Sequence, residues 1–499
     1  MSLARRALLG FLWTTGANVG SRLVTIVSTF VLTHYLAPEV QGEVNVAVAI
    51  VAVLTFATTF GVGQFVAAHP HESRAVVFHG TLLSLAGGLL SMGAAIALGS
   101  PLSALLHTPD AARYVPTLAV AFFIERMSWM PRQILARDMR FRLVGMRIAV
   151  GELVFASVSV GLAYADYGGD AIVYANVVRS IVAIVFLTSV TKVRDYLQIS
   201  PLSVATFRRI LAFGLPINHA GLLSVAATLG DNMLMARLFG AETVGLYNQA
   251  YRIAELPGTT VGDQVNDVLV PTFARLNDRE ARNRGLLRAI GLMGLVVFPM
   301  AVGLGAVAET AVQVFYSPEY AGVAPFLAVL ATMSILRSLG TLAVGYLQVV
   351  GRTLQFIWIE LVLVLTILVT IAVLSPLGPV VSACGVGVGF SLHTIILMSR
   401  LRPEGIRLVD CVKAALGPLL ACLPMAAAVL GFRELIRPLG LPPVLVLVVE
   451  IAIGGVAFVA SAFVFASKSA RDFVDLAKGI VKRRRGKGEQ APAESQSGT

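Results

Sequence analysis

Charge is scarce in this chain. Only 13% of its 499 residues are Asp, Glu, Lys or Arg, against roughly 25% in a soluble domain, while 57% are hydrophobic. A water-soluble fold of this size cannot hide so much apolar surface, so lipid is the expected solvent for most of it. Cysteine is nearly absent. Cys384, Cys411 and Cys422 all fall in or beside apolar segments, at a spacing that fits neither a disulfide framework nor a metal site. Histidine is equally thin; His69, His71 and His79 cluster only across a short loop, where a solvated loop end is expected rather than a metal site. The apolar runs lack polar alternation, which excludes a membrane strand barrel. No loop is long enough for a catalytic domain, so neither an enzyme nor a cofactor is expected. The net charge of +11 would suggest nucleic acid in a soluble protein. Here the cations sit between apolar segments and no basic fold motif is present, so nucleic acid is not an expected partner.

What the chain has instead is long apolar runs. A helix needs about 20 mainly apolar residues to cross the hydrocarbon core. On that basis the sequence predicts an all-α polytopic membrane protein of about fourteen spans: 8–35, 43–68, 76–99, 113–135, 147–165, 170–190, 209–236, 244–270, 286–308, 322–350, 354–375, 379–399, 411–431 and 443–466. Arg5 and Arg6 precede a first run far longer than the ~7–15 residues of a signal-peptide core, so the first segment is expected to stay as a span. Loop charge gives an independent check. With the N-terminus inside, 30 of the 39 basic residues fall in inner loops and the tail, and only Arg113, Arg237, Arg433 and Arg437 fall outside. That bias places both termini on the cytoplasmic side.

The first helix pair is repeated. Shifted by 203 positions, Glu39, Gly42, Asn45 and Ala47 fall on Glu242, Gly245, Asn248 and Ala250, and Arg5-Arg6 on Arg208-Arg209. A weaker echo joins Leu135-Ala136-Arg137 and Phe141 to Val350-Gly351-Arg352 and Phe356. Six spans separate the copies, an even number, so the repeat is parallel, about an axis along the membrane normal. The expected organisation is an N-terminal lobe (1–192, helices 1–6), a C-terminal lobe (193–402, helices 7–12), helices 13 and 14 (403–467) and a basic tail (468–499). In the tail, Phe473, Leu476, Ala477 and Ile480 recur at helical spacing among cations, which suits a helix lying on the inner leaflet as well as a plain solubilising tail. Lys482 to Lys487 would add attraction to anionic lipid, and 488–499 read as disordered.

Four stretches carry a family likeness: LTHYLAPEVQGEVN (32–45), PRQILARDMRFRLV (131–144), the run from FGLPINHAGLL to AYRIAELP (213–257), and PTFARLND (271–278) on to FYSPEYAGVAPFLAVL (315–330). They resemble the polysaccharide transporter branch of the multidrug/oligosaccharidyl-lipid/polysaccharide exporter superfamily, the Wzx-type flippases, over helices 1–12. The resemblance implies a V-shaped pair of six-helix lobes. It implies transfer of an undecaprenyl-diphosphate-linked oligosaccharide from the cytoplasmic to the periplasmic leaflet, for exopolysaccharide, capsule or O-antigen assembly. The expected partners are that lipid-linked substrate, membrane lipids and other polysaccharide assembly proteins. A multidrug or cation-coupled exporter of the same superfamily, and a peptidoglycan lipid-precursor flippase, are the alternatives.

A diphosphate head group is prohibitively costly in hydrocarbon, and fixed cations in a hydrated cavity would lower that barrier. Five arginines lie inside spans: Arg22, Arg126, Arg179, Arg252 and Arg337. Intramembrane cations are site candidates by default, and the guanidinium fork suits phosphate oxygens. Arg126 and Arg337 occupy repeat-equivalent helices, which makes them and Arg22 the leading candidates. Arg252 has Glu255 three residues on, within pairing reach on one helix face. Glu125, Asp231 and Glu255 are candidates for a coupling proton or cation, or for neutralising the arginines. Thr260, Asp263 and Asp267 suit a solvated portal rim, and Glu152 and Glu360 are placed to snorkel. Trp13, Tyr35, Trp129, Tyr164, Tyr247, Tyr251, Tyr346 and Trp358 are expected mostly at the interfaces, with Trp129 placed one turn from Arg126 to stack on a sugar. Pro116, Gly214, Pro216, Pro257, Pro299 and Pro325 offer kinks.

Overall fold

The computed structural model describes residues 16, 20–69, 73–138, 140–258, 262, 265, 269, 273, 276, 278–352, 355–475 and 478. Trp13, His71, Thr260, Asp263, Asp267, Leu476, Ala477, Ile480, the Lys482–Lys487 run and parts of the first and eighth expected spans lie outside these residues. Among the described residues every regular element is helical. The elements are α1 Gly20–Leu32, α2 Pro38–Ala57, α3 Val62–Ala68, α4 Arg74–Leu105, α5 Val115–Met127, α6 Trp129–Arg137, α7 Phe141–Tyr164, α8 Asp170–Val190 and α9 Val204–Ala254. Then follow α10 Arg279–Ala306, α11 Ala308–Phe315, α12 Val323–Val349, α13 Phe356–Leu374, α14 Pro379–Ser399, α15 Leu408–Ile436 and α16 Pro443–Phe465.

Ten of these helices are long and apolar enough to cross a membrane, eleven if the bent α9 counts as one span. The chain is a multi-pass, all-helical membrane protein. The count of fourteen is not reached among the described residues, and the reasons are local. The first expected span contributes only Gly20–Leu32 among the described residues, too short to count, whereas the second breaks at Thr58–Gly61 into α2 and α3 but keeps its place because α2 alone is long enough. The fourth divides at Ser128 into α5 and α6. The seventh and the start of the eighth run together as α9, which bends by 46° between Leu223 and Thr228 and is interrupted at Gly240 (φ 82°, ψ −179°).

The chain forms two compact units. The first comprises residues 1–250, 315–326 and 356–389, and the second the remainder. In the first, α4 packs on α2 and α5, α5 on α8, and α7 on α8. Its tightest crossing joins the two repeated stretches. A methyl group on Gly42 would overlap the carbonyl oxygen of Ala241, and one on Gly245 would overlap that of Pro38. Gly42 and Gly245, like Pro38 and Ala241, are 203 residues apart, the interval of the repeat. Each glycine therefore receives the backbone four residues before the other, a small-residue crossing of membrane helices. The side-chain amides of Gln41 and Gln249 meet beside it. Ser317 Oγ donates to Thr33 O at 2.7 Å and Tyr320 Oη to Leu36 O at 2.7 Å. Burial pushes the Tyr320 phenol up from its usual range, so it stays the donor.

In the second unit, α15 packs on α16 and on α10. Asp278 caps α10, accepting from the N–H groups of Glu280 and Ala281 at 3.1 Å each, which satisfies two donors that a helix start leaves unpaired. The Arg407 N–H donates to the Asp410 carboxylate at 3.1 Å at the start of α15.

Candidate functional site

The break after α2 builds the most unusual polar site in the first unit. The Thr58 hydroxyl donates to Thr55 O at 3.0 Å, and the Thr59 hydroxyl lies 3.0 Å from Phe56 O and against Asn218 Oδ1 of α9. Side-chain bonds of this kind compete with the helical ladder. Phe60 and Gly61 then take positive φ (53° and 62°), and the chain turns into α3. Gly214 of α9 rests directly on this turn: a methyl on Gly61 would overlap the Gly214 backbone, and one on Gly214 would overlap the carbonyl oxygen of Phe60. Gly87 of α4 makes the same approach to Thr58 O. The outcome is a helix C-terminus in the membrane, with carbonyls that carry partial negative charge.

Arg126, near the end of α5, points at that terminus. It is 3% exposed. Its Nη2 donates to Thr58 O at 2.7 Å and its Nε to Ser84 O at 3.4 Å. The guanidinium carbon stands 5.5 Å from the Trp129 ring, a cation–π distance. Among the described residues no carboxylate pairs with Arg126, and its buried Nη1 has no acceptor. An arginine keeps its charge in a protein and carries five donors in a rigid fork. Burying such a cation costs several kcal/mol unless a counter-charge is supplied. One helix-end carbonyl, one carbonyl from within α4 and one aromatic face supply only part of it. The arrangement has the chemistry to take an anion on Nη1.

The other four arginines differ. Arg179 pairs with Glu152 at 3.5 Å, donates to Asn176 Oδ1 at 2.8 Å, and stands 5.3 Å from the Phe155 ring. Glu152 also accepts from Thr25 Oγ1 at 2.9 Å, so it joins α1, α7 and α8 rather than snorkelling. Arg337 pairs with Glu255 and lies 5.4 Å from the Phe390 ring. Arg22 and Arg252 are exposed on their helices. Arg22, Arg126 and Arg179 belong to the first unit, Arg252 and Arg337 to the second.

Of the acidic candidates, Glu125 pairs with Arg147 and Glu255 with Arg337. Asp231, 1% exposed, accepts from Tyr247 Oη at 2.6 Å and from the Asn232 N–H at 2.7 Å. Two aromatics expected at the interfaces are core residues instead: Tyr247 on Asp231, and Tyr346, whose hydroxyl donates to Asn283 Oδ1 at 2.6 Å. A buried partner for the hydroxyl removes the reason to sit at the water boundary. Tyr35, Tyr164 and Trp358 are exposed. His79 is buried, not solvated. Its Nε2 accepts from the Ser203 N–H at 2.9 Å and its Nδ1 donates to Ala75 O at 2.6 Å, tying α4 to the segment before α9.

Sequence reasoning missed the helix break that gives Arg126 its carbonyl partner. Its signal is the Thr58-Thr59-Phe60-Gly61 run inside an otherwise apolar span. It also missed a buried pair in the second unit. Arg433, read as a loop residue, lies in α15 and pairs with Glu450 of α16 at 2.7 Å, donating as well to Ala306 O. The signal there is a lone acid in an apolar span.

Comparison with known proteins bears on this geometry. The family model described as polysaccharide biosynthesis protein matches residues 31–325. The succinoglycan biosynthesis transport protein ExoT of Rhizobium meliloti is 25% identical over 357 residues, 70% of each chain. The lipopolysaccharide biosynthesis protein WzxC of Escherichia coli is 24% identical over 399 residues, 79% of this chain and 80% of its own. Among solved structures, the lipid II flippase MurJ in an inward closed conformation aligns with a TM-score of 0.73 at 14% identity, covering 93% of this chain and all of MurJ. An inward-facing MATE transporter aligns at 0.60 with 16% identity, covering 77% of this chain and 95% of its own. At those identities the structures establish a shared fold. The family match spans more than half of the sequence, and the chain belongs to the polysaccharide biosynthesis protein family.

Proposed function

We propose, from that membership and from Arg126, that the chain is a flippase. It moves an undecaprenyl-diphosphate-linked oligosaccharide from the cytoplasmic to the periplasmic leaflet of a bacterial inner membrane. The polymer built outside is an exopolysaccharide, capsule or O-antigen. The observation that carries this reading is a buried guanidinium that, among the described residues, has no carboxylate partner and keeps an unused donor. Such a group is expensive to keep and matches a phosphate oxygen. The names of the relatives, a succinoglycan transport protein and a lipopolysaccharide biosynthesis protein, support the substrate class.

In this account Arg126 takes the diphosphate while the prenyl tail stays in lipid. Arg22 and Arg252 form further contacts along the path, whereas Arg179 and Arg337 mainly hold helices through Glu152 and Glu255. Asp231, buried and accepting from Tyr247 Oη and the Asn232 N–H, is an acid placed to take up a coupling proton. Both termini lie in the cytoplasm, as the loop charges favour. Residues 1–192 and 193–402 form two lobes that expose the site to one side at a time, with the Gly42–Gly245 crossing between repeat copies as the contact that must part.

The test is genetic. Deleting the gene should cause one lipid-linked saccharide to accumulate on the cytoplasmic leaflet while the corresponding polymer disappears outside. Loss of no polymer and accumulation of no lipid-linked saccharide would reject the flippase.

A further inference from the structure

The second unit contains a cavity of about 900 Å³ that none of the five intramembrane arginines lines. Three elements frame it: the first turns of α10, the first turns of α15, and the junction where α16 ends and the helix of residues 467–475 begins. All three are helix ends, so the cavity sits at a membrane boundary. Its polar wall carries Arg284, Arg288, Lys413 and Lys468 against two acids, Asp410 and Asp472. Both acids are engaged. Asp472 holds Arg288 at 3.0 Å, and Asp410 accepts the Arg407 N–H. Arg284 is shared with Asp278 and Glu280 on its own helix start. Lys413 and Lys468 form no ion pair among the described residues. The cavity therefore keeps an excess of positive charge.

Its remaining wall is apolar, including Leu287, Pro418 and Phe465. Phe465 is 49% exposed, and next to it Val464 is 73% exposed. Cations at the head of a cavity and an apolar wall running toward the hydrocarbon match an amphiphile. A free anion would use the first and leave the second wet. Lysine ammonium groups are point charges with three rotatable donors, suited to a phosphodiester that arrives in several orientations. Basic pockets between membrane helices near the headgroup level bind anionic headgroups on these grounds.

We propose that this cavity binds the phosphodiester headgroup of an anionic glycerophospholipid, held by Lys413 and Lys468, with its acyl chains along Phe465 and Val464. The bound lipid bridges α10, α15 and the helix of residues 467–475 and stabilises them together. The inference does not rest on the transport reading, and its test reads no transport.

Full-length protein in neutral detergent is titrated with phosphatidylglycerol, cardiolipin or phosphatidylcholine. Retained lipid is read by native mass spectrometry and stability by the melting temperature. The wild type should retain the anionic lipids and melt higher with them, and should show little response to phosphatidylcholine. The Lys413→Gln/Lys468→Gln variant should bind the anionic lipids roughly 30-fold more weakly, the equivalent of about 1 kcal/mol for each of the two basic residues near an anionic surface. Lys413→Arg/Lys468→Arg should retain binding, and Lys478→Gln, outside the cavity, should behave as wild type. Unchanged retention in the double Gln variant overturns the proposal. So does displacement of the lipid by excess inorganic phosphate, which would make the site one for free anions. Displacement at equal concentration by a polyprenyl phosphate overturns it too, by assigning the cavity to the transported lipid.

Discussion

Arg126 and Arg337 stand in helices that the sequence makes equivalent, yet they live in different electrostatic surroundings. Arg337 has a carboxylate, Glu255, and side-chain exposures of 36% and 28% leave both partners in touch with solvent. Arg126 is 3% exposed and faces the Thr58 carbonyl at the end of α2, the Ser84 carbonyl and an indole, with no acid paired to it among the described residues. The acid next to it in sequence, Glu125, turns to Arg147, as adjacent helical residues must diverge. One arginine is neutralised within the protein, and the other keeps a donor in reserve. A repeat can thus place the same residue type in both copies while one is ion-paired with a carboxylate and the other, among the described residues, is not.

The largest expected effect tests that division. Arg126→Gln should lower polymer output about 10- to 100-fold at matched membrane levels, the worth of one hydrogen bond to a charged group. Arg126→Lys should recover part of it, because charge returns without the fork. Output from Arg126→Gln equal to wild type would erase the distinction from Arg337. Next comes Gly87→Ala, which pushes α4 off Thr58 O. It should cost about 1–3 kcal/mol by overpacking, measured as a lower melting temperature, and should reduce output by disturbing the Arg126 acceptor. Arg337→Gln should destabilise by about 1–2 kcal/mol, between exposed and buried ion pairs. Adding Glu255→Gln should restore much of that stability, since the stranded acid is removed. A double variant no more stable than Arg337→Gln would show that Glu255 is not the partner that matters. Topology carries the smallest perturbation: reporters fused after residues 40, 168 and 318 should read periplasmic, and after 140, 200, 280 and 405 cytoplasmic. One reversed internal reporter would break the span order at that point.

Most of the architecture was legible because membrane helices announce themselves by length and apolarity. The apolar runs at 170–190, 379–399 and 443–466 agree with α8, α14 and α16 to within a few residues. The 203-residue repeat was legible too, and the structure gives it a physical meaning in the reciprocal Gly42–Gly245 crossing. The candidate site was only half legible. Hydropathy averages over some twenty residues, and the four-residue break at Thr58–Gly61 costs a span almost nothing on that scale. Yet that break releases the carbonyl that Arg126 binds. Pairing was illegible for a related reason. Glu255 lies 82 positions before Arg337, and Glu450 lies 17 after Arg433. Only packing decides which acid meets which cation.

The central claim is that the protein carries a diphosphate-linked saccharide across the bilayer on Arg126, and reconstitution measures it most directly. Purified protein is placed in vesicles holding an undecaprenyl-diphosphate-linked saccharide in one leaflet. Arrival in the other leaflet is followed by its exposure to an impermeant sugar-modifying enzyme. Wild-type protein should speed transfer well above protein-free vesicles, and Arg126→Gln should bring it most of the way back. Transfer by wild type no faster than in empty vesicles, or by Arg126→Gln as fast as by wild type, would contradict the account.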